Sequence, residues 1–292
     1  ACYHLGIALL QGLGRLDEAV FWWREKKRIA ALIAELYIKQ GEFIREDLLD
    51  PIFDHFWSAH VGHAALLGIH VKKNVLEGNR KRLSLVRLPK PHIANECLVE
   101  HWQQYFTIMD LAFPVDNMRY VAKNLFLEER LTGPETYFWQ AYAEISRAWE
   151  HAGGGPLLAL SRSELHRGRQ ALTAMGVPPG AWYVCLHVRS FGFKPVHDAL
   201  HDVLNADIGT YDRAIAAIVE RGGWVIRMGD PAMPKLPPTP GVIDYAHSPQ
   251  KTDWMDVFLC ATCAFYVGTS SGLAYVPDLF GIPSVLTNWF PT

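Results

Sequence analysis

From residue 180 onward, short apolar runs alternate with longer amphipathic ones, and this alternation leaves few folds open. WYVCLHV (182–188), GWVIRMGD (223–230), VIDYAH (242–247), AFYVGTSSG (264–272) and IPSVLTN (282–288) read as strands, each running into a turn. Between them, TYDRAIAAIVERGG, DWMDVFLCATC and LAYVPDLFG read as helices. Thr210 or Asp212 is expected near the cap of the first, with Gly222 ending it. Strands that alternate with helices predict a parallel, doubly wound sheet. In such sheets ligands bind beyond the carboxyl ends of the strands. Five segments fall there: Arg189, Gly229-Asp230, Tyr245–His247, Thr269–Gly272 and Thr287-Asn288. A guanidinium, hydroxyls and small-residue turns on one edge suit an anionic, sugar-bearing ligand.

Upstream the pattern is looser. Residues 51–90 read as strand, Gly-containing turn, helix opening after Gly62, basic turn and strand, a βαβ unit. Residues 95–150 look mainly helical, through NECLVEHWQQYFTIM and GPETYFWQAYAEISRAWEHA, with Pro134 at a helix start. HAGGGP (151–156) is a hinge signal. Residues 1–50 form a short helical segment in which Leu5, Gly6, Leu9, Gly14 and Ala19 fit either a tetratricopeptide hairpin or an ordinary amphipathic helix pair. Three regions follow: the helical segment 1–50, an α/β region 51–175 and a second α/β region 176–292. The abrupt ends suggest a piece of a longer polypeptide.

Composition narrows the functional classes. The 292 residues are 50% hydrophobic and 20% charged, with a formal net charge of −2, so nothing global argues for nucleic acid or an anionic membrane. No apolar stretch reaches the ~18 residues of a membrane span. The five cysteines, an odd number, form no disulfide framework and point to a reducing, cytoplasmic compartment. Cys260 and Cys263 form a CxxC inside an apolar run and are expected to face the core. His197 and His201 have metal-ligand spacing but lack a third ligand.

Weighed singly, Arg189 is either a diphosphate clamp or a structural partner of Asp198 or Asp202. The GTSSGLA loop (268–274) is either a phosphate cradle at a helix start or a plain capping turn, and it matches neither a Walker nor a GxGxxG loop. Asp253 and Asp256 either hold the nucleotide or carry first-turn helix charge. His63 is either a general base facing the cleft or a capping or core histidine.

The ordered set HVRS, GGWVIRMGD, VIDYAHSPQKTDWMDVFL and FYVGTSSG resembles bacterial glycosyltransferases that carry upstream tetratricopeptide repeats. More distantly it is similar to the GT-B fucosyltransferases with an HxR motif. The resemblance implies a GT-B-like α/β fold of two Rossmann-like domains, 51–175 on the acceptor side and 176–292 binding the nucleotide sugar. It implies an inverting, metal-independent enzyme moving a sugar from a nucleotide-diphosphate donor, with a GDP-sugar such as GDP-fucose favoured, to a hydroxyl acceptor. Arg189 matches the Arg of the HxR motif and His187 the His beside it. Asp230, after Gly229, stands at the acidic turn of the next strand, and Asp256 at the Asp that contacts the nucleotide. Thr269, Ser270 and Ser271 match the hydroxyl-rich phosphate loop, where Gly272 replaces a usual second Ser. The sequence after Arg189 departs from the fucosyltransferase pattern, which puts fucose in doubt. The expected partners are a nucleotide sugar, a glycan or protein acceptor, and a protein partner at the helical N-terminus. No cofactor or metal is expected. Two other readings stay open: a non-catalytic scaffold with a degenerate nucleotide-sugar-binding domain, and a phosphate-ester hydrolase with His187 as nucleophile.

Overall fold

The computed structural model describes residues 52–53, 56–78, 83–110, 138–190 and 204–288. The helical reading of 1–50, Pro134, and the segment holding His197, Asp198, His201 and Asp202 lie outside the described residues. In chain order the described elements begin with β1 (Ile52–Phe53), α1 (Phe56–Ala59), α2 (Val61–Leu76), β2 (Leu83–Arg87), α3 (Glu96–His101) and β3 (Phe106–Asp110). Next come α4 (Phe138–His151), α5 (Arg162–Ala174), β4 (Tyr183–His187), α6 (Asp212–Glu220) and β5 (Trp224–Arg227). The series ends with β6 (Val242–Ile243), α7 (Asp253–Thr262), β7 (Phe265–Gly268), α8 (Val276–Leu279) and β8 (Ser284–Leu286). They sort into two compact units. Among the described residues, the first takes those up to Ala59, Ile69–Ile93 and Gln103–Gly154. The second takes His60–Gly68, Ala94–Trp102 and those from Gly155 on. The chain makes its last passage between units inside the HAGGGP segment.

The first unit holds a parallel sheet in the order β1-β2-β3. The βαβ reading of 51–90 matches β1, α2 and β2. The helical reading of 95–109 needs correction. Its first half is α3, capped by Asn95, whose side chain accepts from the Leu98 N–H at 2.8 Å. Its second half is β3, paired with β2 from Leu83↔Phe106 to Arg87↔Asp110. Phe106, Thr107 and Ile108 favour a pleated surface, and the available sheet edge outweighs helical periodicity. Phe106 is buried edge-on against Phe53, and Phe53 packs in the same way on Trp57 and His70.

The second unit is built on five parallel strands in the order β6-β5-β4-β7-β8. From β4 the chain winds outward to β5 and β6. It then returns across β4 to wind the other way through β7 and β8. All five residues of β4 are buried, as a central parallel strand requires. Leu186, Val188, Tyr211 and Val225 form a core cluster with Ile215 and Ile218 of α6 packed against it. The short 3₁₀ turn before α6 is capped by Asp207, whose Oδ1 accepts from the Gly209 N–H at 2.9 Å. The N-cap of α6 is Tyr211, which makes no side-chain cap bond, and Thr210 and Asp212 flank it as expected. Gly222 does follow the helix, at φ 77°, a left-handed conformation suited to glycine. On the other side α5 and α7 meet at Gly168, where a Cβ would come within 2.0 Å of the Phe258 ring. Cys260 and Cys263 are buried and unpaired, facing the core as expected. No helix among the described residues is long and apolar enough to cross a membrane.

Candidate functional site at the strand switch point

Parallel pairing puts the five carboxyl ends on one edge, and the register aligns them. His187 pairs with Gly268, Gly268 with Leu286, Leu186 with Arg227 and Ile226 with Ile243. The direction of winding reverses between β4 and β7, which opens the ligand crevice of a doubly wound sheet. The segments that leave the sheet there are 188–190 and 269–272. The switch point therefore falls between Arg189 and the hydroxyl loop.

Thr269 joins the two. Its N–H donates to the His187 carbonyl at 3.0 Å, and its Oγ1 accepts from the Arg189 N–H at 3.0 Å. Thr269 is fully buried, so its side chain positions Arg189 from beneath. Ser270 is buried, and Ser271 is partly exposed, in extended backbone ahead of the 3₁₀ turn Gly272–Tyr275. Arg189 is partly exposed, and burial pulls its guanidinium below the ordinary range while leaving it a cation. Among the described residues no carboxylate pairs with it. His187 is buried beneath this point. Burial, then the charges of Arg227, Lys251 and Arg189, lowers its imidazole to about 4, so the ring is neutral at pH 7. Its Nδ1 and the Oγ of Ser190 are buried without a hydrogen-bond partner among the described residues. Unpaired polar atoms on both sides of a guanidinium are costly unless something else binds there.

The glycines explain a departure noted in the sequence. A Cβ on Gly272 would lie 2.7 Å from the Gly62 nitrogen, and one on Gly62 would lie 2.7 Å from the Gly272 Cα. Backbone meets backbone, and no serine fits at 272. The same contact fixes the start of α2 against the loop. His63, next in the chain, is partly buried and edge-on to His60 at 5.1 Å.

The remaining candidates divide. Gly229 sits at φ 145°, where glycine is favoured, and a Cβ would meet the Met233 sulfur at 2.3 Å. Asp230 Oδ1 accepts from the Ala232 N–H at 2.8 Å, closing its own turn. Both oxygens of Asp256 take the Lys251 ammonium at 3.0 Å. Burial raises the Asp256 carboxyl above the usual range, and Lys251 opposes that shift. Asp253 instead faces α3, with Oδ2 accepting weakly from the Glu96 N–H at 3.4 Å.

Two residues in the quoted motifs carry more than the sequence reading gave them. Lys251 lies 5.1 Å from the Tyr245 ring centre and acts on His187, adding positive charge near the switch point. Arg227 is fully buried, donating to Asp244 Oδ1 at 2.8 Å and to the Pro234 carbonyl at 2.9 Å. Asp244 Oδ2 also pairs with His247 Nδ1 at 2.9 Å, and His247 Nε2 meets the Pro231 carbonyl at 3.1 Å. This network braces the Pro-rich loop. A lone Arg inside the apolar run WVIRM was its signal in the sequence.

No family model matches the chain, and no curated protein matches it. Solved structures do. The glycosyl transferase family 9 protein of Veillonella parvula superposes with a TM-score of 0.50 at 10% identity, covering 80% of this chain and 79% of that one. Escherichia coli heptosyltransferase WaaC, solved with ADP, gives a TM-score of 0.40 at 10% identity over 80% of this chain and 86% of its own. The E. coli ADP-heptose LPS heptosyltransferase II gives 0.38 at 15% identity, over 77% and 66%. At such identities the likeness is one of fold. The chain has a parallel α/β architecture of the GT-B kind, shared with the family 9 glycosyltransferase.

Proposed function

We propose that this chain is a glycosyltransferase whose second unit binds a nucleotide-diphosphate sugar at the switch point between β4 and β7. One observation carries the reading: Arg189 stands at that point without a carboxylate partner among the described residues, held by a bond from its own N–H to Thr269. A half-desolvated guanidinium grips a diphosphate bidentately and offsets the charge that develops as it leaves. The backbone N–H groups of 270–272 add donors to the same oxygens. An acceptor hydroxyl attacks the anomeric carbon from the face opposite the diphosphate, so the product is inverted. His63, at the start of α2 beside the loop, takes the hydroxyl proton. Asp256 accepts from the ribose or base, with Lys251 keeping it ionised. Arg189 and Lys251 supply the positive charge, so the transfer runs without a metal. The sequence resemblance favours a GDP-linked sugar.

His187 is a poor nucleophile for the hydrolase reading, because it is buried and belongs to the floor of the site. The scaffold reading differs in turnover alone. The test is thermal stabilisation of wild type and Arg189→Ala by GDP, ADP, UDP and their sugars with EDTA present, followed by a donor-consumption assay. Saturation at about 100 Kd stabilises by ~2.7 kcal/mol. One nucleotide should raise the wild-type melting temperature by several degrees and leave Arg189→Ala unmoved, and its sugar should be consumed. Equal responses would make Arg189 structural. Binding without consumption would favour the scaffold.

A further inference from the structure

We propose that Cys97, His101 and Glu164 form a zinc site that ties α3 to α5. Cys97 and His101 are four residues apart on α3 and so share a face. Glu164 is the third residue of α5. One ligand atom from each lies within 4.8 Å of the others, and His101 Nε2 is 3.3 Å from Glu164 Oε1. Ligands ~2.0–2.3 Å from one tetrahedral ion stand about 3.3–3.8 Å apart, so small torsional moves bring all three onto it.

The ligands are already oriented. Glu164 closes the capping box of α5, its Oε2 accepting from the Ser161 N–H at 2.6 Å, which leaves Oε1 turned to His101. The His101 ring stands edge-on to Phe280 at 5.9 Å. Such outer contacts fix ligand geometry in metal sites. The local charge also fits a cation. The carboxylates of Glu164, Glu100 and Asp253 put negative charge around the Cys97 sulfur, opposed by Arg167. Zinc reverses that field. The thiol proton passes to solvent, and thiolate, carboxylate and dication sum to a neutral site with a neutral imidazole. Mixed sulfur, nitrogen and oxygen donors suit zinc and disfavour calcium or magnesium. Three protein ligands leave the fourth position to water.

None of the three lies on a strand end or in the 269–272 loop, so the ion stands apart from the transfer reaction proposed above. Both α3 and α5 pack on α7, and the ion would lock them against it.

The experiment titrates the EDTA-stripped chain with cobalt(II) and zinc(II). One equivalent should bind, cobalt giving a sulfur-to-metal charge-transfer band and zinc raising the melting temperature. Cys97→Ser should abolish the band. Glu164→Gln keeps the capping box, because Gln also serves there. Its zinc affinity should fall by more than the roughly tenfold that loss of one supporting bond gives. Failure of wild type to bind would overturn the site. So would a band that survives Cys97→Ser, or uptake lost only when His197 and His201 are replaced.

Discussion

At the residue scale, the site depends on what two side chains cannot do. His187 cannot ionise in the fold until the pH falls to about 4, whereas in the unfolded chain it does so near 6.5. Between these values the unfolded state binds more protons, so stability rises with pH across that window and is lost as the pH falls through it. The group accounts for at most ~3 kcal/mol. Melting curves from pH 4 to 6.5 should show a shallower pH dependence for His187→Gln than for wild type. Gly272 cannot carry a side chain. Gly272→Ala forces the Gly62 backbone aside, which should cost ~1–3 kcal/mol and lower the melting temperature by several degrees. It should also weaken nucleotide stabilisation, as the loop leaves Arg189. Arg189, Thr269 and the loop could be picked out in the sequence because they follow apolar runs. The glycine contact could not, because it joins two backbones separated by most of the chain.

At the element scale, strands whose neighbours surround them were easy to read. β4 and β5 are apolar runs but for their last residues, His187 and Arg227, because both their faces are covered. β3 was hidden because Glu96 to Met109 mixes both periods, and its strand character comes from an edge on β2 that local sequence does not show. Helix packing was equally hidden. α5 reaches α7 only because residue 168 is glycine, and the Phe258 ring it meets is stacked on Trp254 at 5.6 Å and 21°. Gly168→Ala should destabilise by ~1–3 kcal/mol in denaturant unfolding. Trimming the ring with Phe258→Leu should recover part of that loss, the two changes being coupled through contact.

At the scale of the whole molecule, every site residue proposed for the donor lies in the second unit. Hydrogen exchange should therefore divide by unit. A bound nucleotide should slow amides at 187–190, 245–256 and 269–275, while β1, β2 and β3 keep their rates. Equal protection in both units would move the donor elsewhere.

The membership of that second unit also bears on how the protein can be taken apart. His60–Gly68 and Ala94–Trp102 belong to it, although first-unit sequence flanks them. Gly68 lies against Leu279, Trp102 Nε1 donates to the Ala64 carbonyl at 2.8 Å, and Asn95 donates to the Asp253 carbonyl at 2.9 Å. A fragment expressed from residue 155 would carry all five strands of the larger sheet yet lack two of the pieces that cover it. It would expose Leu279, nearly inaccessible in the intact chain. Such a fragment should aggregate. Supplying residues 60–102 in trans, or grafting them by circular permutation, is the route to a soluble donor-binding half.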